Sequence, residues 1–246
     1  GLNAMIVDST ALTEQAVRDV VASSFRSAGQ RWSALRVLYV QENVAPHVIE
    51  MLKGAMEELT LGNPWELSTD IGPVIDTEAQ TEIEAYVASK SDKVLHRMNA
   101  PKTGSFVAPT MLKVGGINDL EREIFGPVLP IIPYKKIEDP VQAINDGPRP
   151  LALYPFSNDK ALVHHLLTHV MSGGVSVNDG LFHVGQHDLP FGGVGDSGMG
   201  HYHGYEGFVT FSKMRPVFYQ APFSAVKFLW PPYGKFATKY LDFLTK

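Results

Sequence analysis

Leu151-Ala152-Leu153-Tyr154-Pro155-Phe156, then Asp159 to Val170, then Gly174-Val175-Ser176-Val177-Asn178 is the stretch that decides the fold. The first and last runs are strand-like, and the segment between them is spaced like a helix. Two strands joined through a helix lie parallel, because a tight hairpin cannot connect parallel neighbours.

The same rhythm extends toward the N-terminus. Ala4-Met5-Ile6-Val7 reads as a strand, followed by a helix over Ala11 to Ser24 through Leu12, Ala16, Val17, Val20 and Val21, with Ser9 and Thr10 available as caps. Leu35 to Val40 is β-rich, and residues 46 to 60 place Val48, Ile49, Leu52, Met56 and Leu59 on one helical face. Thr77 to Ser89 predicts a helix opened by Asp76-Thr77-Glu78, Lys93 to Arg97 a strand, and 98 to 120 short strands and turns. Val128 to Tyr134 predicts a strand and Pro140 to Asn145 a short helix. The expected fold class is α/β, a mostly parallel sheet with helices on both faces. After Gly207 the pattern changes to Phe208-Val209-Thr210-Phe211 and Pro216-Val217-Phe218-Tyr219, expected as an edge β arm followed by an apolar, Pro-rich tail. The expected division is a domain over 1–206 and an arm and tail over 207–246.

Composition excludes several function classes. A net charge of −5 without a basic run gives no nucleic-acid footprint and no membrane-surface patch. No apolar stretch reaches the roughly 20 residues that span a bilayer. The chain has no cysteine, which excludes disulfides, thiolate metal sites and thiol catalysis, and is compatible with a cytoplasmic protein. Gly1-Leu2-Asn3 leads straight into an apolar strand, so the chain reads as cut from a larger protein.

Three motifs are candidates for chemistry. Gly193-Val194-Gly195-Asp196-Ser197-Gly198 matches the G-x-G-x-x-G pattern, but a dinucleotide loop needs a following helix and an acidic residue about 20 positions on. His201-Tyr202-His203-Gly204 follows instead, and Phe218-Tyr219-Gln220 occupies the acidic position, so a structural turn is the better reading. Seven of the nine histidines fall between His164 and His203, with i, i+4 pairs at His165/His169 and His183/His187. The general-base Glu of an H-E-x-x-H site is missing from both pairs, and structural histidines are expected there, with no metal. In Glu123-Ile124-Phe125-Gly126-Pro127-Val128, the carboxylate is either a cap or a ligand for ribose hydroxyls, with an aromatic beside it to support a planar ring.

The combination is more specific than any one motif. Gly29-Gln30-Arg31-Trp32, Glu123 to Pro127, and Pro190-Phe191-Gly192-Gly193-Val194-Gly195-Asp196-Ser197-Gly198-Met199-Gly200, in this order and spacing, resemble the C-terminal half of the aldehyde dehydrogenase family over essentially the whole chain. By that resemblance Trp32 stands where the family carries its nucleophilic Cys. Glu123 corresponds to the nicotinamide-ribose ligand, Phe125 to the aromatic beside that ring, and Phe191 to a wall of the aldehyde tunnel. The resemblance implies NAD(P) as the parent cofactor and an aldehyde as the parent substrate, oxidised to an acid through attack by the thiolate and hydrolysis of a thioester. The general-base Glu, the Rossmann domain and the oxyanion-hole Asn would lie upstream of Gly1. Residues 1 to about 127 are most similar to the glutamate-semialdehyde (pyrroline-5-carboxylate) dehydrogenases of bifunctional proline-catabolic proteins. From about 128 the chain is more similar to class-3 and coniferyl aldehyde dehydrogenases, notably in His183 to His203 and Pro231-Pro232-Tyr233-Gly234-Lys235, which suggests a recombinant or engineered mosaic.

The expected function is therefore a fragment of an NAD(P)-dependent aldehyde dehydrogenase, inactive as it stands and not binding NAD(P) tightly. The alternative is a non-catalytic folding or self-association module. A homo-oligomer through residues 207–220 is the expected partner, since exposed edge strands recruit further strands.

Overall fold

The computed structural model describes residues 2–120 and 122–245. Seven strands form one sheet: β1 (Ala4–Val7), β2 (Val37–Gln41), β3 (Val94–Arg97), β4 (Thr110–Lys113), β5 (Val128–Tyr134), β6 (Ala152–Phe156) and β7 (Gly174–Val175). Their spatial order is β3-β4-β5-β2-β1-β6-β7, with every pairing parallel except β3 on β4. Ala4 pairs with Val37 on one side and Leu153 on the other, so β1 is the centre from which the crossovers depart in both directions.

Parallel neighbours require crossover segments, and the helices supply them. They are α1 (Thr13–Phe25), α2 (Ala45–Glu57), α3 (Thr77–Ser89), α4 (Glu138–Asp146) and α5 (Lys160–His169). The Asp76 carboxylate caps α3 by accepting from the Ala79 amide at 2.8 Å, and Asp159 caps α5 through the Ala161 and Leu162 amides. All residues of β1 and β6 are buried. Because successive side chains point to opposite sheet faces, burial of every one means that both faces are covered. The expected mostly parallel α/β fold is what the chain adopts.

The segment expected as a β arm folds differently. Gly204–Thr210 forms a helix, α6, and among the described residues no strand follows β7. Phe208-Val209-Thr210 has strand-prone side chains, but a strand is stable only where a neighbouring strand takes its hydrogen bonds. The first compact unit runs through Phe211, so the expected division after residue 206 falls inside α6. The second unit, Ser212–Lys246, carries a 3-10 turn at Ala225–Leu229 and the helix α7 (Lys235–Leu244), on which Phe236 and Tyr240 stack at 6.4 Å. Among the described residues, no helix is long and apolar enough to cross a membrane.

In open parallel sheets ligands usually gather at the carboxyl ends of the strands. Here Asn3, the 27–36 loop and the Glu123–Pro127 turn directly precede β1, β2 and β5, so they gather at the opposite edge, where these strands begin.

Candidate active site

The loop from Ser27 to Arg36 is the centre of the site. Ser27, Ala28 and Gly29 all have left-handed backbones, with φ of 57°, 51° and 68°. Only the glycine adopts this without steric cost, and Gly29 is fixed by a second constraint. A Cβ there would lie 2.3 Å from the Gly126 carbonyl oxygen, so the loop packs backbone to backbone on the Glu123–Pro127 turn. Gln30 fixes the next residue: its amide donates to the carbonyls of Ser27 and Pro73, and its Oε1 accepts from the Ile75 amide at 2.8 Å.

Beyond Gln30 the loop turns its carbonyls inward onto buried side chains. The Arg36 guanidinium donates through Nη1 to Gly29 O (2.5 Å), through Nη2 to Arg31 O (2.8 Å) and through Nε to Glu123 Oε1 (3.1 Å). Asn3 Nδ2 donates to Trp32 O (2.7 Å) and Ala34 O (2.9 Å), while its Oδ1 accepts from the Ala152 amide. Tyr154 Oη donates to Ser33 O at 2.6 Å. Burial raises the Tyr154 phenol far above its ordinary range, which keeps it a neutral donor. These groups specify the loop's path, while the Trp32 side chain projects outward, 61% exposed.

Arg36 also organises the second motif. Its guanidinium carbon lies 4.4 Å from the centre of the Phe125 ring, a cation–π contact, and the same group holds Glu123. Phe125 takes a left-handed backbone (φ 53°) and leaves its ring 41% exposed. Glu123 and Phe125 are thus joined through a single buried cation, which also holds the carbonyls of Gly29 and Arg31 on the loop that carries Trp32. Sequence reasoning missed Arg36, Asn3 and Tyr154. Arg36 alone left a signal, as a charge inside the apolar run Leu35 to Val40 that had to find partners.

The third motif meets the others through aromatic packing. Phe191 is buried, with its ring 5.7 Å from His183, 5.6 Å from Tyr202 and 6.1 Å from His203. His183 in turn lies 5.9 Å from Tyr154, the residue that holds the Trp32 loop. Neither His183 ring nitrogen has a partner, and burial depresses the imidazole's pKa against the opposing pull of Asp179. The Gly193 to Gly198 run is a tight turn. A Cβ at Gly193 would lie 2.1 Å from Ser197 O, and Ser197 Oγ accepts from the Val194 amide. A 3-10 turn of three residues at Gly195–Ser197 stands where a nucleotide loop would need a helix.

The candidate histidine pairs are separated. His165 and His169 stack on α5, while His183 lies in a 3-10 turn and His187 packs on His203. Among the described residues, no three His, Cys, Asp or Glu side chains converge in a way that could hold a metal.

Comparison with known proteins places this geometry. Residues 1–217 match the aldehyde dehydrogenase family model. The bifunctional protein PutA of Escherichia coli is 41% identical over 212 residues, covering 81% of this chain and 16% of PutA. A probable coniferyl aldehyde dehydrogenase of Pseudomonas aeruginosa is 57% identical over 116 residues, 47% of this chain and 24% of that protein. The substrate-bound structure of Staphylococcus aureus AldH superposes with a TM-score of 0.83, with 31% identity over 100% of this chain and 54% of that one. The chain thus spans between a sixth and about half the length of these relatives. Both groups expected from sequence are among the relatives, and the PutA likeness, at 212 residues, continues past the expected changeover near residue 127.

Proposed function

The chain belongs to the aldehyde dehydrogenase family, and from that premise we propose that it carries the nucleophile-loop half of such an enzyme in a form that cannot turn over. The observation behind this reading is the loop itself. Arg36, Asn3, Gln30 and Tyr154 hold the path of residues 27–34, and the residue presented at its tip is Trp32. An indole is neither a nucleophile toward a carbonyl nor a group with an adjustable thiolate, and it fills space that a substrate carbon would need.

The family is NAD(P)-dependent. Bound nicotinamide supplies the hydride acceptor. The residues present fit one end of such a group: the Glu123 carboxylate, oriented by Arg36, would accept from ribose hydroxyls, and the half-exposed Phe125 ring would flank the nicotinamide. Loss of the nucleophile removes nearly all turnover whatever the cofactor does, because members of a catalytic unit fail together. As to substrate, residues 180–188 contain no Lys or Arg to meet a semialdehyde's carboxylate. The neighbouring Phe191, Tyr202 and His203 rings favour an apolar or aromatic aldehyde in the parent.

Trp32→Cys, combined with the family's N-terminal half supplied in trans, tests the reading. Recovery of esterase or NAD⁺-dependent dehydrogenase activity is the expected result. Oxidation of propanal or of a semialdehyde by the unaltered pure chain overturns it. A second reading, a non-catalytic self-association module, has its own observation: Tyr205, Phe208 and Phe211 on and beside α6 are each more than 70% exposed. Stable dimers with no activity after the Trp32→Cys repair would favour that reading.

A further inference from the structure

Helix α5 presents His165 and His169 one turn apart on one face. Their rings stack at 4.1 Å between centres with 28° between planes. His169 Nδ1 lies 2.8 Å from the His165 carbonyl oxygen, and since a carbonyl only accepts, the ring nitrogen carries the proton. That bond fixes the tautomer: Nε2 of His169 is left as the lone-pair nitrogen. A backbone carbonyl behind the far ring nitrogen is the usual support of an imidazole that ligates a metal, because it orients the ring and raises its basicity. Asn145 Nδ2 donates to His169 O at 2.7 Å and ties down the end of the same helix.

We propose that His165 and His169 form a two-imidazole surface site for a divalent transition cation, Cu²⁺ before Ni²⁺ or Zn²⁺. Metal–imidazole distances are about 2.0 to 2.1 Å, so two nitrogens on one ion lie within about 4.2 Å of each other. The two rings sit one helical turn apart on the same face with their centres 4.1 Å apart, and turning the His165 ring out of the stack brings one of its nitrogens toward His169 Nε2 so that both face one ion. Imidazole ligands and the ordinary ranking of divalent ions favour copper. His164 is adjacent in sequence and so projects about 100° away around the helix. Water completes the coordination. The site does not depend on Trp32 or on the cofactor, and it stands whether or not the proposed function does.

The test is calorimetric titration of the full chain with Cu²⁺ alone, alongside His165→Ala, His169→Ala and, as a control on another helix, His47→Ala. One ion per chain is expected to bind, with two-nitrogen hyperfine structure in the EPR spectrum. Removing either α5 histidine should weaken binding by roughly tenfold or more, because the second ligand of a chelate acts at a high effective concentration. His47→Ala should leave affinity unchanged. Saturating Cu²⁺ should also raise the melting temperature of the unaltered chain more than that of either α5 variant. Absence of binding, or equal affinity in all four proteins, overturns the site. Circular dichroism of the variants excludes unfolding as the cause of a loss.

Discussion

The guanidinium of Arg36 lies 4.4 Å from the centre of the Phe125 ring, and through this contact a buried cation meets an aromatic ring 89 positions away in the chain. The same group bonds Glu123 and the carbonyls of Gly29 and Arg31. The loop that carries Trp32 and the turn that carries Glu123 therefore share a single support.

Arg36→Met should destabilise the fold by about 2 to 4 kcal/mol, because a buried and a partly buried carbonyl lose their donors while Glu123 loses its bond to the guanidinium. Arg36→Lys should recover only part of this, since an ammonium cannot match a planar fork of donors. Urea unfolding of both variants measures it. Equal stability of Met and unaltered proteins would remove Arg36 from the centre of the site.

Two glycines give opposite expectations. Gly29→Ala meets both a left-handed φ and the Gly126 carbonyl at 2.3 Å, and should cost at least about 2 kcal/mol. Gly54 lies inside α2 with nothing within 4 Å of an added Cβ. Gly54→Ala should stabilise by about 0.5 to 1 kcal/mol, the difference in helix propensity. Thermal melts of the pair reveal whether the sign differs.

Tyr154→Phe leaves the ring in place and strips one donor from Ser33 O. The orphaned carbonyl should cost about 1 to 3 kcal/mol. Hydrogen exchange should show the 32–36 amides opening more readily than those of β6, a difference that a uniform loss of core packing would not produce.

Stability should depend on pH through His183. Burial lowers its folded pKa below the ordinary 6.5, so between the folded and unfolded values the unfolded chain binds more protons. This stabilisation is present above about pH 6.5 and is lost as pH falls from there toward the folded value. His183→Phe, which keeps a ring among Tyr154 and Phe191, should flatten the slope of unfolding free energy against pH in that window. An unchanged slope would show that other groups set it.

Much of the architecture was legible from local pattern. The Thr77–Ser89 helix and the Val128–Tyr134 strand fall where spacing and capping place them, because Asp76 supplies an acceptor at the helix start and every residue of β5 but Pro133 is buried. Phe208 to Phe211 was not legible in this way. Its side chains favour a strand, yet α6 covers Gly204–Thr210. Strand propensity measures fit to a neighbouring strand, and that neighbour is supplied by tertiary or quaternary structure. The three motifs of the candidate site were visible as residues and spacings. Their supports were not: Asn3 reaches Trp32 across 29 positions, Arg36 reaches Glu123 across 87 and Tyr154 reaches Ser33 across 121, and only Arg36, a charge within an apolar run, left any local sign of a buried role.

The amino-acid sequence by itself determined the strand–helix alternation, the lack of any thiol and the presence of Trp32 in a Gly-Gln loop. Each of these follows from residue chemistry or from short-range periodicity. Tertiary structure decided that the loop's carbonyls close onto Asn3, Arg36 and Tyr154, that Phe125 stacks on the same guanidinium that holds Glu123, and that Phe191 is buried among His183, Tyr202 and His203. The physical reason is that buried polar groups must find partners wherever the chain brings them, and in a parallel sheet those partners come from crossovers far apart in sequence.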